Sequence, residues 1–226
     1  WMPGTSPGMT TLSVGANRAP VAYTSENFNA DMGVSRETAR RLEAHLKLLR
    51  EWSSRMNLVG PGELDDYWRR HALDSAQLLN HATEALRWAD LGSGAGFPGI
   101  VLGALLADRE GAEVALVEAN QRKAAFLREA IRATGAAAKV IAERVEDVTA
   151  DDRQVVTARA FAPLSRIIEH AKPWLDRGAV GLFLKGEDVE AELAEARKVW
   201  ALDVSILPSL SDLRGRIVRV EGASLV

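Results

Sequence analysis

The stretch ADLGSGAGFPGI at residues 89–100 constrains this chain more than any other. A short apolar run, LRWADL, leads into it. Glycines then follow Asp90 at alternate positions, Gly92, Gly94 and Gly96, as D-x-G-x-G-x-G. Glycine has no Cβ, so such a backbone can turn sharply and let a ligand come close. Pro98 suits the first turn of a helix, where a missing N–H costs nothing. Strand, glycine turn and helix N-terminus in that order open a nucleotide-binding βα unit. The carboxyl end of that strand is therefore expected to be a ligand-binding edge.

The residues downstream agree with such a unit. Apolar runs at 86–91, 112–118, 138–142, 154–160 and 179–185 alternate with helical stretches at 98–107, 120–134, 163–175 and 187–199. This alternation predicts an α/β fold with a mostly parallel sheet covered on both faces. ALDVSIL at 201–207 and RIVRVEG at 216–222 have no helix between them, so they predict a terminal antiparallel strand pair. Residues 85–226 thus form the core, preceded over 31–84 by a helical extension. Ser35 can cap a helix in which Ala39, Leu42, Leu46, Leu49 and Met56 recur at helical spacing, and VGPG at 59–62 punctuates it. A second helix is expected from about Leu64 to His81, with Leu64, Trp68, Ala72, Ser75 and Leu79 along one face. Residues 1–30, rich in Gly, Pro, Ser, Thr and Asn without an apolar period, read as a flexible lead-in.

Composition removes several functions. Cysteine is absent, which excludes disulfides, thiolate metal sites and a cysteine nucleophile, and fits a reducing cytoplasm. No apolar run approaches the roughly 20 residues of a membrane span, and the first residues lack the basic end and apolar stretch of a secretory signal. A cytoplasmic protein without membrane or metal partners is expected, and a monomer. The net charge of −3 counts against wholesale nucleic-acid binding but leaves room for a local basic patch.

Taken alone, GAGFPG would indicate NAD. Asp90 argues otherwise, because its charge would repel a pyrophosphate at the helix N-terminus. S-adenosyl-L-methionine has no phosphate, and Asp90 can help to hold its ammonium end. Glu118, which ends the second strand, suits a ribose hydroxyl after either cofactor's loop. A dehydrogenase would also need its own acid–base group, and after Glu118 the only histidine is His170, in mid-helix. The terminal antiparallel pair points the same way, towards S-adenosyl-L-methionine.

Seven segments in order, MNLVG (56–60), RHALDS (70–75), ADLGSGAGFPGI (89–100), VEANQRKAAFLRE (117–129), ERVEDV (143–148), ARAFAPL (158–164) and FLKG (183–186), resemble the RsmG (GidB) family of 16S rRNA methyltransferases. The resemblance runs from about residue 38 over nearly the whole chain. It implies a class I (Rossmann-like) methyltransferase core with an N-terminal helical extension. It also implies S-adenosyl-L-methionine as cofactor and methylation at N7 of guanine 527, in the 530 loop of 16S rRNA in the small ribosomal subunit. Carried over by motif, Gly92, Phe97, Glu118, Val145, Glu146 and Arg159 would contact the cofactor, with Val145 and Glu146 beside the adenine.

Guanine N7 carries an available lone pair, so its methylation needs no general base. Without cysteine there is no covalent pyrimidine chemistry, and no Pro-Pro-Tyr follows the fourth strand to hold an exocyclic amine. His71 and Asp74 stand about one turn apart on the expected second helix, either as a pair reaching into the cleft or with His71 a satisfied histidine at a helix–core interface. Arg159 ends the fourth strand at the ligand edge, where its guanidinium can fork onto a carboxylate or phosphate. Arg69, Arg70, Lys185 and Arg216 are candidates for contacts to RNA phosphates, or else a solvated basic surface.

Overall fold

A computed structural model describes residues 22–60 and 62–226. Most of the expected lead-in, up to residue 21, lies outside the described residues. The strands are β1 (Arg87–Leu91), β2 (Glu113–Val117), β3 (Ala138–Ile141), β4 (Val155–Arg159), β5 (Val180–Lys185), β6 (Trp200–Pro208) and β7 (Arg216–Leu225). They form one sheet in the order β3-β2-β1-β4-β5-β7-β6. The first five are parallel. β7 runs antiparallel between β5 and β6, with Leu182 opposite Arg219 and Ile206 opposite Val218. Strand order reverses between β1 and β4, which opens a crevice at their carboxyl ends, where ligands bind in such sheets.

Strands β1, β2, β4 and β5 are short and apolar because both faces are covered. Helices α1 (Ser25–Met32), α2 (Arg36–Ser53), α4 (Gly99–Leu106) and α5 (Gln121–Thr134) share one core with Trp88, Val114 and Leu116. Helices α6 (Leu164–Leu175) and α7 (Val189–Ala196) share the other with Leu91, Val156 and Phe183. Asn120 caps α5 by accepting from the N–H groups of Arg122 and Lys123, and Gly135 ends it in a left-handed conformation. Arg153 ties the starts of three strands together. Its side chain is fully buried against Asp151 and Glu113 and donates to the Trp88 carbonyl.

Two expectations need correction. Residues 25–30, read as lead-in, belong to α1. Thr24 and Asn27 form a reciprocal capping box, Gly33 closes the helix at φ 62°, and Phe28 is fully buried 5.5 Å from the Trp68 ring. One buried aromatic in eight residues produces no period to read. The extension thus begins upstream of residue 31.

The expected helix over 64–81 is instead a segment of changing pitch. A 3₁₀ turn (Glu63–Asp66) leads into a π-helical stretch (Tyr67–Leu73), a short α3 (Asp74–Ala76) and a second 3₁₀ turn (Gln77–His81). The wide turn rotates the buried face, so Tyr67, His71, Ala72, Ser75 and Leu78 point inward while Leu64, Trp68 and Leu79 are only partly covered. Stretches of this kind concentrate at functional sites. No described helix is long and apolar enough to cross a membrane.

Phe28→Ala should lower the unfolding free energy by about 3–5 kcal/mol in urea denaturation, as for other buried aromatics. A change within about 0.5 kcal/mol, typical of surface positions, would mean that α1 does not pack on the core in solution.

Candidate active site

Gly92, Gly94 and Gly96 hold φ angles of 70°, 51° and 91°, a region L side chains rarely adopt. At Gly92 a Cβ would lie 2.2 Å from the Phe161 ring, so the residue must be glycine for the loop to pack. At Gly94 the nearest atom would be the Gly92 carbonyl oxygen at 3.7 Å, so a side chain there would project into open space. The loop is fastened to β2. Gly92 and Ser93 donate to the Val117 carbonyl at 2.9 and 3.0 Å. The Glu118 carboxylate accepts from Gly94 N at 2.9 Å and from Asn120 N at 2.8 Å.

Three cavities lie in series along this edge. The first, about 460 Å³, is lined by Glu118, Val145, Glu146 and Phe161 among others. The second, about 430 Å³, is lined by Gly94, Phe97, His71 and Arg159, with Asn57 to Gly60 and Glu63 from the helical extension. These two share Gly92, Lys123 and Ala160. The third, about 390 Å³, contains Arg70, Asp74, Lys185 and Arg214, and meets the second at Arg159.

Arg159 is the hinge of this arrangement. Its Nε lies 3.4 Å from Asp74 Oδ2, and its guanidinium carbon sits 5.6 Å from the Phe97 ring centroid. Its Nη1 is buried without a hydrogen-bond partner among the described residues. Burial lowers its pKa, an effect the Asp74 carboxylate opposes. His71 and Asp74 do not pair, because the π-helical turn directs them to different walls. Asp74 accepts instead from Ser211 Oγ at 2.6 Å and from Gln77 Nε2 at 3.0 Å. His71 stacks on Phe97.

Asp90 does not face the cavities. It is fully buried beneath the loop, where its carboxylate accepts from Gly99 N at 3.2 Å and Thr157 Oγ1 at 3.3 Å. It therefore caps the start of α4 rather than reaching a cofactor's ammonium group. Burial pushes its pKa up to about 6.

The basic candidates divide. Arg70 lines the third cavity and pairs with Glu63 at 3.1 Å. Lys185 lines it too, but its ammonium is held by Glu192 at 2.6 Å and by the Ala162 carbonyl at 3.2 Å. Arg69 donates to the Ser211 carbonyl and lies over the Tyr23 ring. Arg216 donates to the carbonyls of Leu213 and Gly215, which pins the β6–β7 turn. Neither Arg69 nor Arg216 lines any of the three cavities.

Sequence reasoning passed over Asn57, Glu63, Lys123, Ala160 and Phe161. MNLVG was visible as a motif without a stated role. Ala160 has φ 49° directly after β4, a strained conformation that clusters at functional sites and that alanine does not advertise.

A family model described as GidB, rRNA small subunit methyltransferase G, matches residues 38–216. This chain belongs to that family. A relative named ribosomal RNA small subunit methyltransferase G from Rhodospirillum rubrum is 52% identical over 198 residues, 87% of this chain and 96% of the relative. One of the same name from Rhodopseudomonas palustris (strain BisB5) is 49% identical over 193 residues, 83% of this chain and 82% of the relative. Among solved structures, an S-adenosylmethionine-dependent methyltransferase from Aquifex aeolicus matches with a TM-score of 0.52 at 15% identity, covering 73% of this chain and 96% of its own. The PH0226 protein from Pyrococcus horikoshii matches with a TM-score of 0.55 at 11% identity, covering 75% and 97%. At such identities the structures speak for the fold alone, and it is the Rossmann-like class expected from the sequence.

The Asp90 carboxyl titrates higher in the folded protein than its ordinary value of 3.8. Its contribution to stability is then fully present below that value and is lost as pH rises through about 6. Asp90→Asn removes the titration. Between about pH 4 and pH 7 the wild type should therefore lose on the order of 3 kcal/mol relative to Asp90→Asn, read by urea denaturation at both pH values. A difference independent of pH would show an ordinary, solvated carboxylate.

Proposed function

We propose that this protein transfers the methyl group of S-adenosyl-L-methionine to N7 of guanine 527 in 16S rRNA of the small ribosomal subunit. The observation that carries the reading is the chain of cavities at the β1–β4 crevice, in a member of the rRNA small subunit methyltransferase G family. Their lining fits the cofactor. Glu118 uses one lone pair of one carboxylate oxygen on the loop and one of the other on Asn120 N, leaving acceptor capacity for ribose hydroxyls. Buried Val145 offers an apolar surface for an adenine, with exposed Glu146 at its edge. Gly94 leaves the second cavity open, and Arg159 brings a buried donor without a partner. When bound, the cofactor supplies an electrophilic methyl group on a sulfonium.

The chain's own residues then have mostly positional work. Well-oriented reactants can draw about 7–11 kcal/mol from positioning alone. A guanine N7 lone pair needs no proton removed, and the second cavity offers no strong base. Burial and the nearby Arg159 and Arg70 cations hold His71 down to about 3, so its ring stays neutral. The Glu63 carboxylate lines the same cavity, where it can offset the charge of a cationic purine product. Residues 85–226 supply the cofactor site, and the helical extension faces it across the second cavity with Glu63 and His71 on the substrate side. The protein works without a metal, as a monomer in the cytoplasm, on 16S rRNA or the small subunit. Arg70 and Arg214 at the third cavity are its best-placed groups for RNA.

Purified protein with radiolabelled S-adenosylmethionine should label small-subunit rRNA from a strain lacking the enzyme, as 7-methylguanosine. Label on a pyrimidine, an exocyclic amine or a protein would contradict the reading. Arg159→Lys should reduce transfer on the order of 100-fold while keeping a near-native melting temperature. A lysine can still meet Asp74 but lacks the second, forked donor. Unchanged transfer would show that a point charge suffices, and a collapse in stability would make the Asp74 pair purely structural.

A further inference from the structure

Two buried histidines of this molecule differ in one respect. His45, 0% exposed, is fully satisfied, with Nδ1 3.2 Å from Tyr67 Oη and Nε2 3.0 Å from the Ala95 carbonyl. His71, 2% exposed, makes no hydrogen bond of full geometry at either ring nitrogen among the described residues, and the Glu63 backbone, which acts to raise its pKa, supplies only a weak contact. Native structures leave few buried polar groups in that condition, and those few call for a reason. Packing holds the His71 ring in place, since it lies on Phe97 with centroids 4.5 Å apart and planes 14° apart. It lines the second cavity, as does Arg159 with its unpartnered Nη1. Three orphaned nitrogens at one cavity mark a place where a polar ligand completes the hydrogen bonding.

His71 stands on the wall contributed by the helical extension, with Asn57, Val59 and Glu63, whereas the glycine loop forms the wall assigned to the cofactor. An enzyme acting at N7 of a purine also meets a selectivity problem. Adenine has the same N7, and the two bases differ on that edge at the neighbouring position, O6 in guanine and an amino group in adenine. Resting on the function proposed above, we propose that His71 is the specificity contact for the target base, donating its single N–H to guanine O6 and so holding N7 towards the cofactor. The Arg159 guanidinium favours the tautomer whose lone pair faces it, which leaves the N–H for the substrate. A neutral donor adds no positive charge beside a sulfonium or a cationic product.

His71→Phe keeps a flat ring on Phe97 and removes both nitrogens. Titration calorimetry with S-adenosylhomocysteine should show affinity within about twofold of wild type, while single-turnover methylation of small subunits from a deficient strain slows by about 50-fold or more. The decisive substrate is a reconstituted subunit with 2-aminopurine at the target position, which keeps N7 and lacks O6. Wild type should prefer guanine over it by about 50-fold or more, and His71→Phe by less than about fivefold. His71→Leu, which also lacks a donor, replaces the phenylalanine variant if that one fails to fold, and His71→Gln, which restores a donor, should recover part of the preference. Weakening of S-adenosylhomocysteine binding by about tenfold or more would move His71 to the cofactor. An undiminished preference for guanine in the donor-less variant would overturn the proposal while leaving the proposed reaction intact. No transfer by wild type to either substrate would defeat the reaction itself.

Discussion

The carboxylate of Glu118 is the fastening on which the site depends. One oxygen takes the N–H of Gly94 and the other the N–H of Asn120, so the end of β2 holds both the glycine loop and the start of α5. A loop of left-handed glycines has little preference of its own for one shape, since glycine pays more backbone entropy than any other residue when ordered. The shape must be imposed from outside, and here three acceptors impose it. The Val117 carbonyl takes the N–H groups of Gly92 and Ser93, Glu118 takes that of Gly94, and buried Asp90 takes that of Gly99 from beneath. Phe161 packs against the bare face of Gly92 and closes the loop from the β4 side.

A second linkage joins the helical extension to this core. Asp74 reaches Arg159 with one oxygen and Ser211 and Gln77 with the other, so three parts of the chain far apart in sequence meet at one carboxylate. The pair is partly shielded, with side chains 18% and 15% exposed. Such a pair serves to fix geometry more than to add stability. The geometry it fixes is that of Arg159, whose buried Nη1 is left over for a ligand. Because the β6–β7 turn grips the same Asp74 through Ser211, the outer rim carrying Arg214 is held in register with the inner cavity.

Much of this was legible in the residues. Apolar runs gave all seven strands: the parallel ones read as compact apolar stretches, and the antiparallel β6 and β7 as two such runs with no helix between them. The glycine loop, Glu118 and the cofactor-side motifs carry local chemistry that spacing reveals. The helical extension was harder. Between Tyr67 and Leu73 the chain follows a wider turn, so a period drawn for an α-helix marked Leu64, Trp68 and Leu79 as the inner face and missed Tyr67. That same turn separated His71 from Asp74, whose spacing suggested a pair. Asp90 was misassigned for a different reason. Its position beside the loop is visible in the sequence, but the direction of its side chain depends on Thr157 and on Gly99 folding over it.

The claim that the Glu118-fastened loop is an S-adenosylmethionine site meets its most direct test in titration calorimetry. Wild-type protein should bind S-adenosylhomocysteine with one site per chain and give no heat with NAD. Glu118→Gln keeps the size of the side chain but loses the charge and half of its acceptors. It should weaken S-adenosylhomocysteine binding by about 10- to 100-fold, the scale of one or two charge-assisted hydrogen bonds. Equal affinity in the two proteins, or saturation by NAD with none by S-adenosylhomocysteine, would contradict it.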